Sequence, residues 1–590
     1  MTFLKTLFAS ILGFFISLFL VFITIVLITI GIISSATEER KTVVASNSVL
    51  VMEPDGMIPE YTASESLAEI MGEGGGATLG QYLARIEAAS KDDHIKGIWL
   101  KLGSYGGDWA QAGEIRTKLA EFRKSGKFIY ATSDVNGWDE KNYYIASIAD
   151  SVIMNPSARM EINGIYAALA FFKPMLDNIG VQAEIVRAGS FKSAVEPFIL
   201  DSASAESRMM IDDMVRGSFA AFRAGVIESR GISEAQLDNI LANDPMLTAT
   251  EARTHKLIDA VMFHDQVMDL LRSHTKTEGD DDPPMVELED YRAPVSDGKD
   301  GEIAVVYAVG GIGPGRSRYN PSPMFGGEMV GSSTFREAME TAREDDDVKA
   351  VIVRINSPGG DASASEEMWR EIMLTREVKP VIASMAGVAA SGGYYIAAAA
   401  DTILAEPTTI TGSIGVFGMW FNMEKLLEEK IGINTQVMTS NPYADMYSAV
   451  RPATEQERAL AGEQVDSTYR TFLAIVSQGR GLSMDSVMAI AQGRVWTGQQ
   501  ALALGLVDIL GGFEKAVEVA AGRAGLKEGG YTLRVLPRRK DFLETFKETF
   551  DSRVSALFET RTVMDDYRVL LDALDYRSGI QARIPDITLR

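Results

Sequence analysis

Ser391 is followed by Gly392 and Gly393 where an apolar run, Val381 to Ala390, gives way to the alanine-rich stretch ending at Ala400. This spacing predicts a buried strand, a glycine turn and a helix, with the serine hydroxyl lifted above a sheet. Such a hydroxyl attacks carbonyl carbon, and backbone N–H groups at the helix start receive the oxyanion. Taken alone, Ala-Ser-Gly-Gly is more often a packing turn, so the reading depends on whether the chain supplies a base. The four histidines, His94, His255, His264 and His274, all lie in the first half, and no two have metal-ligand spacing. There are no cysteines, which removes thiol nucleophiles, thiolate metal sites and disulfides. No metal and no cofactor are expected.

The elements that must position this serine occur twice. Asp92-Asp-His-Ile-Lys-Gly-Ile-Trp-Leu-Lys-Leu-Gly-Ser-Tyr-Gly-Gly-Asp108 matches Asp345-Asp-Asp-Val-Lys-Ala-Val-Ile-Val-Arg-Ile-Asn-Ser-Pro-Gly-Gly-Asp361 at an offset of 253, that is, 345 minus 92. The match continues through Asn142-Tyr-Tyr and Gly393-Tyr-Tyr, Ile179-Gly-Val and Ile431-Gly-Ile, and Leu257-Ile-Asp and Leu506-Val-Asp. Each copy alternates short Val/Ile runs with amphipathic stretches, the pattern of parallel α/β units. The expected organisation is a membrane anchor over 1–46, a first α/β repeat over 47–272, a polar linker over 273–300, a second repeat over 301–527, and a tail over 528–590 expected to be helical.

Comparison of the copies separates two half-sites. Counted from the paired tyrosines, the slot of Ser391 holds Glu140 in the first copy and that of Gly392 holds Lys141, while Ser413 answers to Ile162. Conversely, Lys192 of the first copy answers to Ala444 of the second. One copy keeps a lysine and the other a serine. An amine among Ala188, Phe191, Ala194, Val195 and Phe198 is a candidate base, because desolvation disfavours the ammonium form. A lone lysine is more often a solvated surface charge, but that reading does not account for the reciprocal losses. Gly392, with Gly359 or Gly360 from Ser357-Pro-Gly-Gly-Asp361, is the candidate source of oxyanion N–H groups; the second pair reads equally well as plain turn glycines.

Ala389-Ala-Ser-Gly-Gly-Tyr-Tyr395, Thr411-Gly-Ser-Ile-Gly-Val416, Asn356-Ser-Pro-Gly-Gly360 and Gly189-Ser-Phe-Lys-Ser-Ala-Val-Glu-Pro-Phe198 together resemble the signal peptide peptidase A family, peptidase family S49, in its long, duplicated, Gram-negative form. The resemblance runs from the anchor to about residue 525. It implies a Clp protease/crotonase-like fold in both copies, a Ser391–Lys192 dyad and Ser413 hydrogen-bonding the lysine amine. It also implies a homotetramer on the periplasmic face of the inner membrane that degrades remnant signal peptides and other hydrophobic peptides.

Residues 7–33 form an apolar run without a charge, longer than the roughly 20 residues that span a bilayer. It also exceeds the roughly 7 to 15 residues of a signal-peptide core, which favours an uncleaved single-pass anchor with a cytoplasmic N-terminus and periplasmic catalytic domains. The net charge of −24 argues against a nucleic-acid partner. Two rival readings are a non-catalytic membrane-bound scaffold for apolar segments and a crotonase-type acyl-CoA enzyme. Export weighs against the second, whose metabolites are cytosolic.

Overall fold

The computed structural model describes residues 44–62, 77–279, 281–292, 298–320, 327–539, 579–584 and 588–589, together with Gly13, Phe14 and Ser17. The apolar run 7–33 otherwise lies outside them. Among the described residues no helix is long and apolar enough to cross a membrane.

Each copy folds around a parallel sheet. In the first, the strand order is Ala260–Val261, Ser151–Met154, Phe128–Ser133, Ile95–Leu102, Ser48–Met52, Met285–Glu287, and every pairing is parallel. In the second, Tyr531–Leu536, Gly301–Val309, Val348–Ser357, Val381–Ala390 and Thr402–Ala405 follow one another in the same sense. Their near-continuous Val, Ile and Ala content is what a sheet covered on both faces requires. The apolar faces close against helices such as Leu79–Lys91 and Trp109–Arg123 in the first copy and Ser332–Glu344 and Ala362–Arg376 in the second.

The duplication extends to single hydrogen bonds. Tyr143 Oη donates to Leu257 O at 2.6 Å, and its counterpart Tyr394 donates to Leu506 O at 2.9 Å. Lys127 Nζ binds the carbonyls of Ala89 and Asp92, and Lys379 Nζ those of Ala342 and Asp345. Two 26-residue helices, Ala205–Arg230 and Glu455–Arg480, also correspond. Ser204 and Thr454 cap their N-termini, and Gly231 and Gly481 end them at φ 61° and 63°, where a side chain would be strained.

Two expectations change. The stretch 273–300 is more than a polar connection, because Met285–Glu287 completes the first sheet beside Ser48–Met52. The tail, expected to be helical, contributes three strands among its described residues. Tyr531–Leu536 extends the second sheet, and Gly579–Arg583 and Thr588–Leu589 pair elsewhere. Residues 540–578 lie outside the described set. The two copies also share buried charge: Arg354 of the second copy is fully buried and binds Glu60 at 2.9 Å and Glu114 at 2.6 Å from the first. Removing one partner from such a cluster strands a charge in the interior, which fixes how the copies dock.

Candidate active site

The strand Val381–Ala390 delivers Ser391 to the start of the helix Gly392–Ala397. Ser391 sits at φ 55°, ψ −114°, a conformation costly for any residue with a Cβ. It is held there by its own N–H donating to Gly412 O at 2.8 Å and its carbonyl accepting from Tyr395 N at 2.8 Å. A strained serine between strand and helix has the backbone geometry of a nucleophile elbow.

Lys192 reaches this serine because a strand of the first copy joins a sheet of the second. Gln182–Ala188 pairs antiparallel with Val416–Asn422, with Ala188 opposite Val416. The chain then turns through Gly189 at φ +104°, where a Cβ would meet the backbone of Gln492. Phe191 N donates to Gln492 O at 2.8 Å, and Gly493 packs against the Lys192 backbone. The glycines at 189 and 493 thus permit a backbone contact that places the lysine. Sequence reading missed the Gln492–Gly493 turn; its one local signal is a glycine between polar residues.

The resulting geometry is tight. Lys192 Nζ lies 2.6 Å from Ser391 Oγ, 3.1 Å from Ser413 Oγ and 3.2 Å from Ser413 O. Ser413 Oγ in turn donates to Gly493 O at 3.2 Å, so a lone pair of that hydroxyl is left for the amine. Lys192 and Ser413 are 1% exposed and Ser391 is fully buried. Burial pushes the Lys192 ammonium well below the ordinary lysine range. A neutral amine has two N–H donors and one lone pair. With those donors on the two oxygens of Ser413, the lone pair of the neutral form is left to accept from the Ser391 hydroxyl.

The candidate oxyanion glycines come together at the same place. Gly359 has φ +98°, and a Cβ there would lie 2.7 Å from Gly392 N. Gly360 follows it in the strand Gly359–Asp361. In the first copy Glu140 occupies the serine slot, and its carboxylate accepts from Gly164 N at 2.6 Å, so the corresponding position is filled by a paired acid. Ala444, the counterpart of Lys192, lies in an exposed turn segment. The histidines have other partners: His94 meets Asp92, His274 meets Tyr130, His255 meets Asp244, and His264 packs against Trp99.

Comparison with known proteins shows the family. The family model for peptidase family S49 matches twice, over residues 121–278 and 373–527. The chain is 32% identical to the chloroplastic serine protease SPPA of Arabidopsis thaliana over 552 residues, covering 92% of this chain and 78% of that one. It is 32% identical to Protease 4 of Salmonella typhi, covering 86% and 84% of the two chains. Protease 4 of Haemophilus influenzae is likewise 32% identical, with 85% and 83% covered. With a buried serine in contact with a desolvated lysine and the family model matched in both repeats, the chain belongs to peptidase family S49 and is a serine peptidase.

Proposed function

We propose that this serine peptidase uses Ser391 as nucleophile and Lys192 as general base to hydrolyse extended hydrophobic peptides, remnant signal peptides among them. The observation that carries the reading is the 2.6 Å approach of a desolvated amine to a hydroxyl held in a strained elbow. Lys192 Nζ takes the Ser391 proton as Oγ bonds to the substrate carbonyl carbon. The oxyanion is met by the N–H of Gly392 and one from Gly359 or Gly360, of which Gly359 N donates to Ser357 Oγ at 3.2 Å before substrate arrives. The ammonium then protonates the leaving amine, and water, deprotonated by the same lysine, hydrolyses the acyl-enzyme. Ser413 orients the amine through both its oxygens and transfers no proton in these steps.

The same reading places the chain in the inner membrane through residues 7–33, with its catalytic domains periplasmic, as the length and charge flanks of that run favour. It also includes assembly as a homotetramer. In support, Ile433–Ser440, the counterpart of the lysine-bearing strand, is exposed and belongs to no strand among the described residues. Exposed Ile433, Val437 and Met438 there suit strand pairing with a second copy.

The test is hydrolysis of a fluorogenic hydrophobic peptide and labelling by a serine-reactive phosphonate. Turnover and a label on Ser391, both lost in Ser391→Ala, are expected. A folded wild-type protein that neither turns over peptide nor takes the label returns the chain to the scaffold reading.

A further inference from the structure

The turn that seats the lysine leads into a residue type found in one copy only. In the first copy Arg159–Glu161 pairs antiparallel with Met246–Thr248, and in the second Ile410–Gly412 pairs in the same way with Val495–Thr497. Met160 stands opposite Leu247, and Thr411 opposite Trp496. Just before each second strand the same backbone bond forms: Ile162 N donates to Pro245 O at 3.0 Å, and Ser413 N to Arg494 O at 2.7 Å. Arg494 therefore answers to Pro245, and Trp496 to Leu247. The backbone is common to both copies, whereas the guanidinium and the indole ring are present only in the copy whose turn meets Lys192.

The Arg494 side chain spans what this backbone brings together. Its guanidinium carbon lies 4.1 Å from the centroid of the Trp496 ring and 5.3 Å from that of Phe191, the residue before Lys192. A planar guanidinium stacks on aromatic faces in a way that fixes their orientation. Nη2 donates to Asp213 Oδ2 at 2.9 Å, and Asp213 lies in the helix Ala205–Arg230 of the first copy. One turn earlier on that helix, Met210 Sδ accepts from Val495 N at 3.4 Å. The pair is only partly buried, with side chains 24% and 30% exposed, so as an ion pair it contributes little to stability. Its consequence is geometric. Arg494 O and Gly493 O accept from Ser413, and Gln492 O accepts from Phe191 N, so one short segment touches both groups that surround the amine.

We propose that Arg494 is a positioning residue for the general base; the proposal rests on the Ser391–Lys192 reading above. Its guanidinium holds the Phe191 ring and, through Asp213, ties the lysine-bearing turn of the first copy to the segment that seats Ser413 in the second. The effect on Lys192 Nζ passes through Phe191 and the Gln492–Gly493 turn rather than through contact with the reacting atoms. Pro245 at the same place in the first copy has no base to position, and there the slot of Ser413 holds Ile162.

The experiment is steady-state kinetics of the full chain, purified in detergent, on a fluorogenic hydrophobic peptide, alongside the rate of phosphonate labelling of Ser391. Arg494→Met is expected to lower kcat and the labelling rate alike, by about 10- to 50-fold, with KM changed less than about two-fold, because a displaced base slows attack without altering peptide binding. Arg494→Lys keeps a charge for Asp213 but loses the planar face, and is expected to recover part of the loss. Trp496→Leu, which gives the second copy the residue of the first, is expected to lower kcat by about 3- to 10-fold. In a Phe191→Ala background, Arg494→Met is expected to add less than about two-fold, since the ring through which it acts is gone. Loss of Arg494 that raises KM alone, that leaves kcat and labelling within about two-fold of wild type, or that multiplies independently with Phe191→Ala overturns the proposal. Should Arg494→Met not fold, wild-type kcat in both Arg494→Lys and Trp496→Leu overturns it equally. Full activity in Lys192→Met overturns the dyad reading instead.

Discussion

Lys192 Nζ and Ser391 Oγ are 2.6 Å apart although 199 residues separate them, and each comes from a different copy of a duplicated fold. The contact depends on a strand of one repeat adding to a sheet of the other and on two glycines that let the intervening backbones touch.

Replacing the base tests the contact directly. Lys192→Met is expected to lower kcat by about 10³-fold or more, since it removes general base catalysis from a nucleophile that is inert near neutral pH. Lys192→Arg is expected to fail as badly, because a guanidinium stays protonated. Ser413→Ala is expected to be milder, about 5- to 30-fold, the loss of one orienting hydrogen bond. Steady-state kinetics on one peptide orders the three. Near-wild-type kcat in Lys192→Met would send the search for a base to the carboxylates.

The pH profile follows from burial of the amine. In the proposed mechanism the neutral amine is the base and desolvation depresses its pKa, so kcat/KM is expected to rise with pH through a value well below the ordinary lysine range. The unfolded chain binds this proton more readily than the folded one, so the group's burial cost shrinks as pH rises between the two pKa values. Wild-type stability should accordingly gain on that of Lys192→Met with increasing pH in that window, as thermal unfolding at a series of pH values would register. An activity limb no lower than that of a free lysine contradicts the desolvated dyad.

Glu406 carries the opposite dependence. Burial, with Glu114 nearby and Arg354 only partly offsetting, pushes its carboxyl up from 4.5 to about 8. The folded state therefore holds a proton that the unfolded state releases, and stability falls as pH rises from 4.5 through about 8. The slope from this one group is at most about 1.4 kcal/mol per pH unit. Glu406→Gln should lose this component, so its melting temperature should gain on that of wild type across the interval. Parallel melting curves would refute the assignment. Activity thus favours higher pH while this carboxyl favours lower.

Gly493→Ala probes the backbone contact. The position has φ +79°, and a Cβ would fall 2.6 Å from Lys192 N and 2.7 Å from its Cα. Displacing the lysine by a fraction of an ångström is expected to reduce kcat by about 10²-fold with little change in KM. Gly462→Ala, in the helix Glu455–Arg480 with open space around its Cβ position, is the control expected to leave kcat unchanged. Equal effects of the two substitutions would remove Gly493 from the positioning of the base.

The repeat, its parallel sheets and the complementary Ser391 and Lys192 were legible in the sequence, because a duplication makes each copy the control for the other; the place of Ser413 beside the amine came from the family resemblance. Glu140 opposite Ser391 and Ala444 opposite Lys192 carry no signal alone and acquire one only by comparison. The strands Met285–Glu287 and Gly579–Arg583 were not legible. Both are short and lie in polar or weakly alternating stretches, and each is a strand only because a distant edge pairs with it. The turn at Gln492–Gly493 escaped for the same reason: its meaning lies in what it touches, the backbone from Gly189 to Lys192 in the first copy.

The pairing of Gln182–Ala188 with Val416–Asn422 also orders events during synthesis. A ribosome that has released the whole first repeat has made a lysine with no serine to activate. The proton acceptor and its hydroxyl meet only after residue 422 has emerged and the second sheet has formed around it. Chains that end before that second sheet forms therefore carry the lysine without its serine partner.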